Sequence, residues 1–245
     1  MSLGKALARG SFALTLLAAS SGRAQTSQYA VTQTIALHQA GDGIEGTLQV
    51  LADKRLSEEL RNDLWGHGDW SLVFSPDSDI YRDFSDHPPV KSKLRIRNSK
   101  DGVIAELDLA TVLAKLEAWP AAARTSHFFL LTRDYSIGAG SYNGPGTTLL
   151  TVWGATLHEM KALNADSGKE QPIRLMRALK SDWRIAERED HPEILSVSCH
   201  PGSNLEFVID YTRYTFEGQR WVEHTREVDG FWESDQPFPA KSAFP

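Results

Sequence analysis

Two long runs rich in β-branched and aromatic residues, NLEFVIDYTRYTF and QRWVEHTREV, meet at Glu217-Gly218. Such runs favour extended backbone, and a glycine between them lets the chain reverse, so they predict a long antiparallel hairpin. The same style recurs upstream. Tyr29 to Leu37 and Glu45 to Leu51 flank Gly41, Asp42 and Gly43, and SKLRIRN and VIAELDL flank Lys100-Asp101-Gly102. Both read as hairpins by turn chemistry and alternation. Trp70 to Phe74 and SHFFLLTRDY read as strands, TTLLTVW and ATLHEMKAL pair about Gly154, and Asp166-Ser167-Gly168 makes another turn.

Helical signals are fewer. Leu56, Leu60 and Leu64 recur at four-residue spacing and predict a short helix. LATVLAKLEAW, Leu109 to Trp119, predicts a second, capped by Asp108 and stopped by Pro120. PIRLMRALKSDWRI fits either strand or helix. The expected fold is therefore mainly β: an antiparallel β-sandwich or barrel-like domain with two or three short helices. Two L-rich segments ending in Trp119 and Trp183 share a loose strand-turn-strand plan, which leaves a small propeller-like or duplicated β-unit as the alternative.

The first 24 residues carry a different message. Lys5 and Arg9 precede the apolar run FALTLLAA, and small residues lead to Ala24, the layout of a secretory signal peptide cleaved after Ala24. The run is too short to span a bilayer, which takes roughly 20 residues, and no cysteine follows it for a lipid anchor. The expected product is a periplasmic or secreted domain, residues 25–245, not inserted in the membrane. Losing Lys5, Arg9 and Arg23 moves the net charge from −6 to −9. That balance argues against nucleic acid, which needs a basic face, and favours a cationic partner.

Cys199 is the single cysteine, so no disulfide within the chain is possible, and its alternation with Leu195 and Val197 places it on the buried face of a strand. SIGAGSYNGPGT, residues 136–147, has four glycines but fails the dinucleotide fingerprint, the phosphate loop and the G-x-S-x-G nucleophile elbow in turn. Its Asn143-Gly144 pair predicts a turn, either a structural one or a recognition loop with Tyr142 and Asn143 at its tip. PDSDIYRDFSDH offers Asp77 and Asp79 in alternation, but Tyr81 and Arg82 break the calcium-loop pattern, and a solvated loop is expected. The eight histidines never adopt H-x-H or H-E-x-x-H spacing; after His158-Glu159, Ala162 and Leu163 stand where a second histidine is needed. Neither a metal nor a cofactor is expected. Glu223 and Glu233 lie near Trp221 and Trp232, which reads either as surface charge flanking buried tryptophans or as an acid-plus-aromatic setting suited to a glycan.

The ending GFWESDQPFPAKSAFP places Phe231, Trp232, Phe238 and Phe244 among prolines and predicts an extended tail packed back onto the domain. Through GSYNGPGT, the YxRYxFEGQRWVEHTR hairpin and the GFWE...FP...FP ending, the second half of the chain resembles a group of uncharacterised exported proteins of Gram-negative bacteria. The resemblance implies a periplasmic setting and no catalytic residue. Two functions follow as expectations. The first is a non-catalytic binding or inhibitory, immunity-type protein that holds a cationic protein or a glycan. The alternative is a secreted hydrolase of cell-wall or carbohydrate material. Binding residues for either come from Tyr142, Asn143, Trp221, Glu223, Trp232 and Glu233.

Overall fold

The computed structural model describes residues 28–37, 45–67, 75–119, 128–136, 140–153, 156–188, 191–203 and 206–245. The expected signal peptide, the Trp70–Phe74 strand and the turns at Gly41–Gly43 and Gly154 lie outside these residues.

The described residues form three sheets. The first takes β1 (Tyr29–Leu37), β2 (Gly46–Asp53), β3 (Lys93–Asn98) and β4 (Val103–Asp108) in sequential antiparallel order. The second has the order β11 (Arg174–Met176), β7 (Gly146–Trp153), β6 (Phe128–Arg133), β5 (Ala114–Ala118), with β8 (Thr156–Glu159) also on β7. In the third, β10 (Glu170–Pro172) and β9 (Lys161–Asn164) lead to β15 (Arg220–Asp229), β14 (Phe207–Glu217), β13 (His191–Pro201) and β12 (Ser181–Arg188). The predicted C-terminal hairpin is β14–β15, in register from Val208↔Asp229 to Glu217↔Arg220. Among the described strands, β15 pairs with β9 in parallel and the other pairings are antiparallel.

Strand β6 explains how the sheets stack. Its run Phe128-Phe129-Leu130-Leu131 is buried throughout. Side chains alternate across a strand, so Phe129 and Leu131 point one way and Phe128 and Leu130 the other. The first pair joins Leu48, Val50, Leu94 and Ile96 of the first sheet in one core; the second joins Trp183, Ile194, Tyr214 and Trp221 of the third sheet in another. A continuous apolar strand is the mark of a sheet covered on both faces. The molecule is thus a mainly β, sandwich-like stack with the second sheet in the middle, and layers rather than propeller blades organise it.

The predicted helix at Leu109–Trp119 is overturned. Asp108 ends β4 instead of capping a helix, Ala110 takes φ 57°, and the chain then extends into β5 against β6. A left-handed residue stops a right-handed helix, while Leu116, with the Leu131 it opposes, fills the first core. Pairing across the sheet overrides a spacing that suits a helix locally. The predicted helix near Leu56 exists as α1 (Glu58–Leu64), capped by the Ser57 hydroxyl. The stretch expected as a solvated loop is also helical: α2 (Asp79–Asp86) begins at Ser78, whose hydroxyl accepts from the Tyr81 amide, and buries Phe84 with Leu56, Leu64 and Leu113. Arg55 ties this helix down by reaching Asp53, Asp83 and the carbonyl of His87.

The tail covers the outer face of the third sheet. Trp232 and Phe238 pack on Val197, Cys199 and Ile209, and Phe244 meets Tyr211 edge-on and stacks on Phe238. Cys199 is buried beneath them. Glu193, with no exposure, meets Arg213 at 3.3 Å and Lys241 at 2.5 Å. The Arg213 guanidinium also donates to the carbonyls of Lys241 and Phe244, and that of Arg226 to Ala243. No helix among the described residues is long and apolar enough to cross a membrane.

Candidate functional site

The six residues singled out from the sequence divide between two places. Trp221 and Glu223 share one face of β15 by their two-residue spacing, and that face looks into the second core. Trp221 has no exposure and packs among Trp119, Phe128 and Phe216 at ring separations of 5.5–5.8 Å. Glu223 accepts from Asn164 Nδ2 at 2.9 Å and from Gln171 Nε2 at 2.7 Å on each carboxylate oxygen. Burial, together with the adjacent Glu223 charge and its hydrogen bond, pushes the Tyr214 phenol well above its ordinary pKa. The Glu223 carboxylate therefore clasps the β9–β10 hairpin where its pairing with β15 is parallel and only three residues long. Its acceptor positions are committed to the fold.

Tyr142, Asn143 and Glu233 lie on segments that converge at the far end of the stack, and Trp232, next to Glu233, is buried there with Val197, Cys199 and Ile209. The glycine-rich loop is a turn, with the Asn143 amide donating to Gly140 O at 3.1 Å. It is pressed onto the connection between β11 and β12: Arg177 N donates to Pro145 O at 3.1 Å and Lys180 N to Ser141 O at 2.9 Å. Gly144 is required there, since a Cβ would lie 2.0 Å from the Arg177 carbonyl oxygen. The tail reaches the same connection, with Ser234 N donating to Leu179 O at 2.8 Å.

Lys180 is the centre of this assembly, and the sequence alone gave no sign of it. Its side chain is nearly buried; Nζ lies 2.7 Å from Glu233 Oε1, 3.4 Å from the Phe231 ring centroid and 4.8 Å from that of Phe207. The two rings meet edge-on at 5.0 Å. A lysine charge is tolerated out of water only with such partners. Around it Tyr142, Leu179 and Phe231 stay 50%, 42% and 47% exposed. Glu206, Asp229 and Asp235 are exposed beside Phe207, Phe231 and Ser234. Arg177, the nearby cation, lies over Trp183 and pairs with Asp182. Glu233 is thus a structural partner of Lys180, while Tyr142 is presented to solvent.

On the inward face of the third sheet, His200 Nε2 lies 3.0 Å from Asp210 Oδ2. The Pro201 carbonyl raises the imidazole pKa most, burial opposes it, and the Asp210 charge and hydrogen bond add to the rise, so the net shift is upward. Among the described residues no group of three or more His, Cys, Asp or Glu is placed to hold a metal ion. Comparison with protein-family models, with curated proteins and with solved structures finds no match.

Proposed function

We propose that this is an exported, non-catalytic binding protein that holds a cationic protein partner against the end of the stack formed by Tyr142, Leu179 and Phe231. The observation that carries the reading is the exposure of these three apolar side chains around the fixed Lys180–Glu233 pair, with acidic residues at their margin. An apolar centre with a charged rim is the usual anatomy of a protein-binding surface. Rigid backing lowers the ordering cost of binding, and the acidic rim steers a basic partner. The net charge of −9 for residues 25–245 acts in the same sense. The engagement of Glu223 and Glu233 inside the fold weighs against the hydrolase reading, which needs free carboxylates facing a cleft.

The test is capture from periplasmic extract by the mature protein and by its Phe231→Glu and Tyr142→Ala variants. A basic protein retained by the wild type, released as salt rises and lost with either variant supports the proposal. Equal retention by the variants, or no salt-sensitive capture, overturns it. Mass spectrometry of the exported protein should find Gln25 at its N-terminus.

A further inference from the structure

We infer that the groove between α1, β1 and β5 is a binding site for a small monoanionic hydroxy-carboxylate of the sugar-acid class. This site shares no residue with the protein-binding end and does not rest on that reading.

Helical periodicity lays out its first wall. Arg61 and Asn62 lie three and four residues after Glu58 and four and three before Trp65, so all four share one face of α1 and its C-terminal end. Leu64, on another face, packs with Leu56, Phe84 and Leu113. A surface helix normally gives its polar face to bulk water. Here that face, with Glu58 and Asn62 still exposed, forms one side of an open groove of about 240 Å³.

The second wall is a bulge. The β1–β2 register passes from Val31↔Leu51 to Gln33↔Val50, so Thr32 is the extra residue of a bulge and its hydroxyl donates to Val50 O at 3.2 Å. Bulges re-aim side chains and recur beside sites. Thr32 and Gln33 both line the groove. Gln33 Oε1 accepts from Leu116 N at 2.7 Å, which leaves its amide NH₂ as the end to offer a ligand.

The third wall supplies charge. Lys115 Nζ lies 4.1 Å from the centroid of the Trp65 ring, and the indole itself packs against the Leu56–Leu64 cluster. The ammonium therefore rests on a fixed platform. Arg61 Nη1 donates to Leu56 O at 2.6 Å, which orients the guanidinium. Among the described residues neither Arg61 nor Lys115 has a carboxylate within ion-pair distance. Two cations and Glu58 give the groove a net charge of one positive unit, which matches a carboxylate. Glu58 would repel a dianion such as phosphate, yet it accepts from hydroxyl groups; the Asn62 and Gln33 amides supply further hydroxyl contacts. The volume lies just below the roughly 300–1,000 Å³ of drug-sized sites, which limits the ligand to about one ring.

The mature protein is titrated with glucuronate, glucose and inorganic phosphate, followed by tryptophan fluorescence and amide chemical shifts. Glucuronate is expected to bind saturably and at least tenfold tighter than glucose or phosphate. Lys115→Gln should weaken it at least tenfold with unchanged circular dichroism, and Glu58→Gln should narrow the gap between glucuronate and phosphate. Lys115→Gln is the deciding variant, because Arg61 also holds the Leu56 carbonyl. The inference is overturned if glucuronate fails to saturate, binds no tighter than glucose, or binds the Lys115→Gln protein as it binds the wild type.

Discussion

Lys180 Nζ and Glu233 Oε1 lie 2.7 Å apart where the glycine-rich loop, the β11–β12 connection and the C-terminal tail converge. The pair joins two segments 53 positions apart in sequence. Removing one partner of a shielded pair strands the other charge, whereas removing both is far milder. Glu233→Gln and Lys180→Met should each cost about 1–3 kcal/mol, and the double variant less than their sum. Urea denaturation of the four proteins checks this; additive losses would remove the pair from its proposed role as a fastener.

Trp232 shields Cys199. Replacing it with alanine removes a buried indole from the cluster with Val197 and Ile209 and should cost about 3–5 kcal/mol. The more specific readout is the thiol, which is 1% exposed. Its reaction with an aromatic disulfide reagent should accelerate at least tenfold in Trp232→Ala. An unchanged rate would mean that the tail does not protect this face.

Gly144→Ala and Gly140→Ala form a matched pair. A methyl group at 144 would strike the Arg177 carbonyl, while at 140 its nearest neighbour is the Asn143 Cβ at an ordinary 3.5 Å. The first should destabilise by about 2 kcal/mol and weaken partner capture, and the second should be within about 0.5 kcal/mol of wild type. Thermal denaturation and the capture assay together separate them.

Glu223→Gln keeps shape but faces an amide group with the amides of Asn164 and Gln171. The loss of acceptors should cost about 1–3 kcal/mol and speed hydrogen exchange in β9 and β10. Faster exchange in those strands marks a structural carboxylate; loss of a measurable glycan turnover without it would revive the hydrolase.

Two groups set opposite pH dependences. Burial raises the Asp53 carboxyl, but bonds from Arg55 and from the Arg55 and Val90 amides outweigh it and bring the pKa below 3.8. Its stabilisation is complete above 3.8 and disappears as pH falls through the folded value. His200 sits above 6.5, so its contribution is complete below 6.5 and is lost as pH rises through the folded value. The partly exposed ring keeps that second effect small. Carboxyl and imidazole shifts followed by NMR should move in these directions, and Asp53→Asn should flatten the acid limb of the stability curve. A His200 pKa at or below 6.5 would contradict the pairing with Asp210.

Much of the fold was legible because its signals are local. Asp101, with φ 62°, and Gly102 turn the β3–β4 hairpin where the Asn98 carboxamide accepts from Lys100 and Gly102. Gly218, with φ 71°, turns β14 into β15. The alternation of Leu195, Val197 and Cys199 placed one face of β13 correctly. Leu109 to Trp119 misled because leucines spaced for a helix also suit a chain that bends at Ala110 and enters a sheet. The candidate site was half legible: the turn at Asn143-Gly144 announces a loop, but Lys180 has no local mark.

The amino-acid sequence by itself determined the class of backbone, since propensity, alternation and turn chemistry act over a few residues. It also set the charge and the absence of a disulfide within the chain. Tertiary structure alone decided which carboxylates were committed and which apolar groups stayed outside. Glu193, Glu223 and Glu233 look alike in sequence, yet each is engaged by groups from a distant segment. The stability of a charge and the exposure of a side chain depend on what lies across space, which only the packed sheets supply.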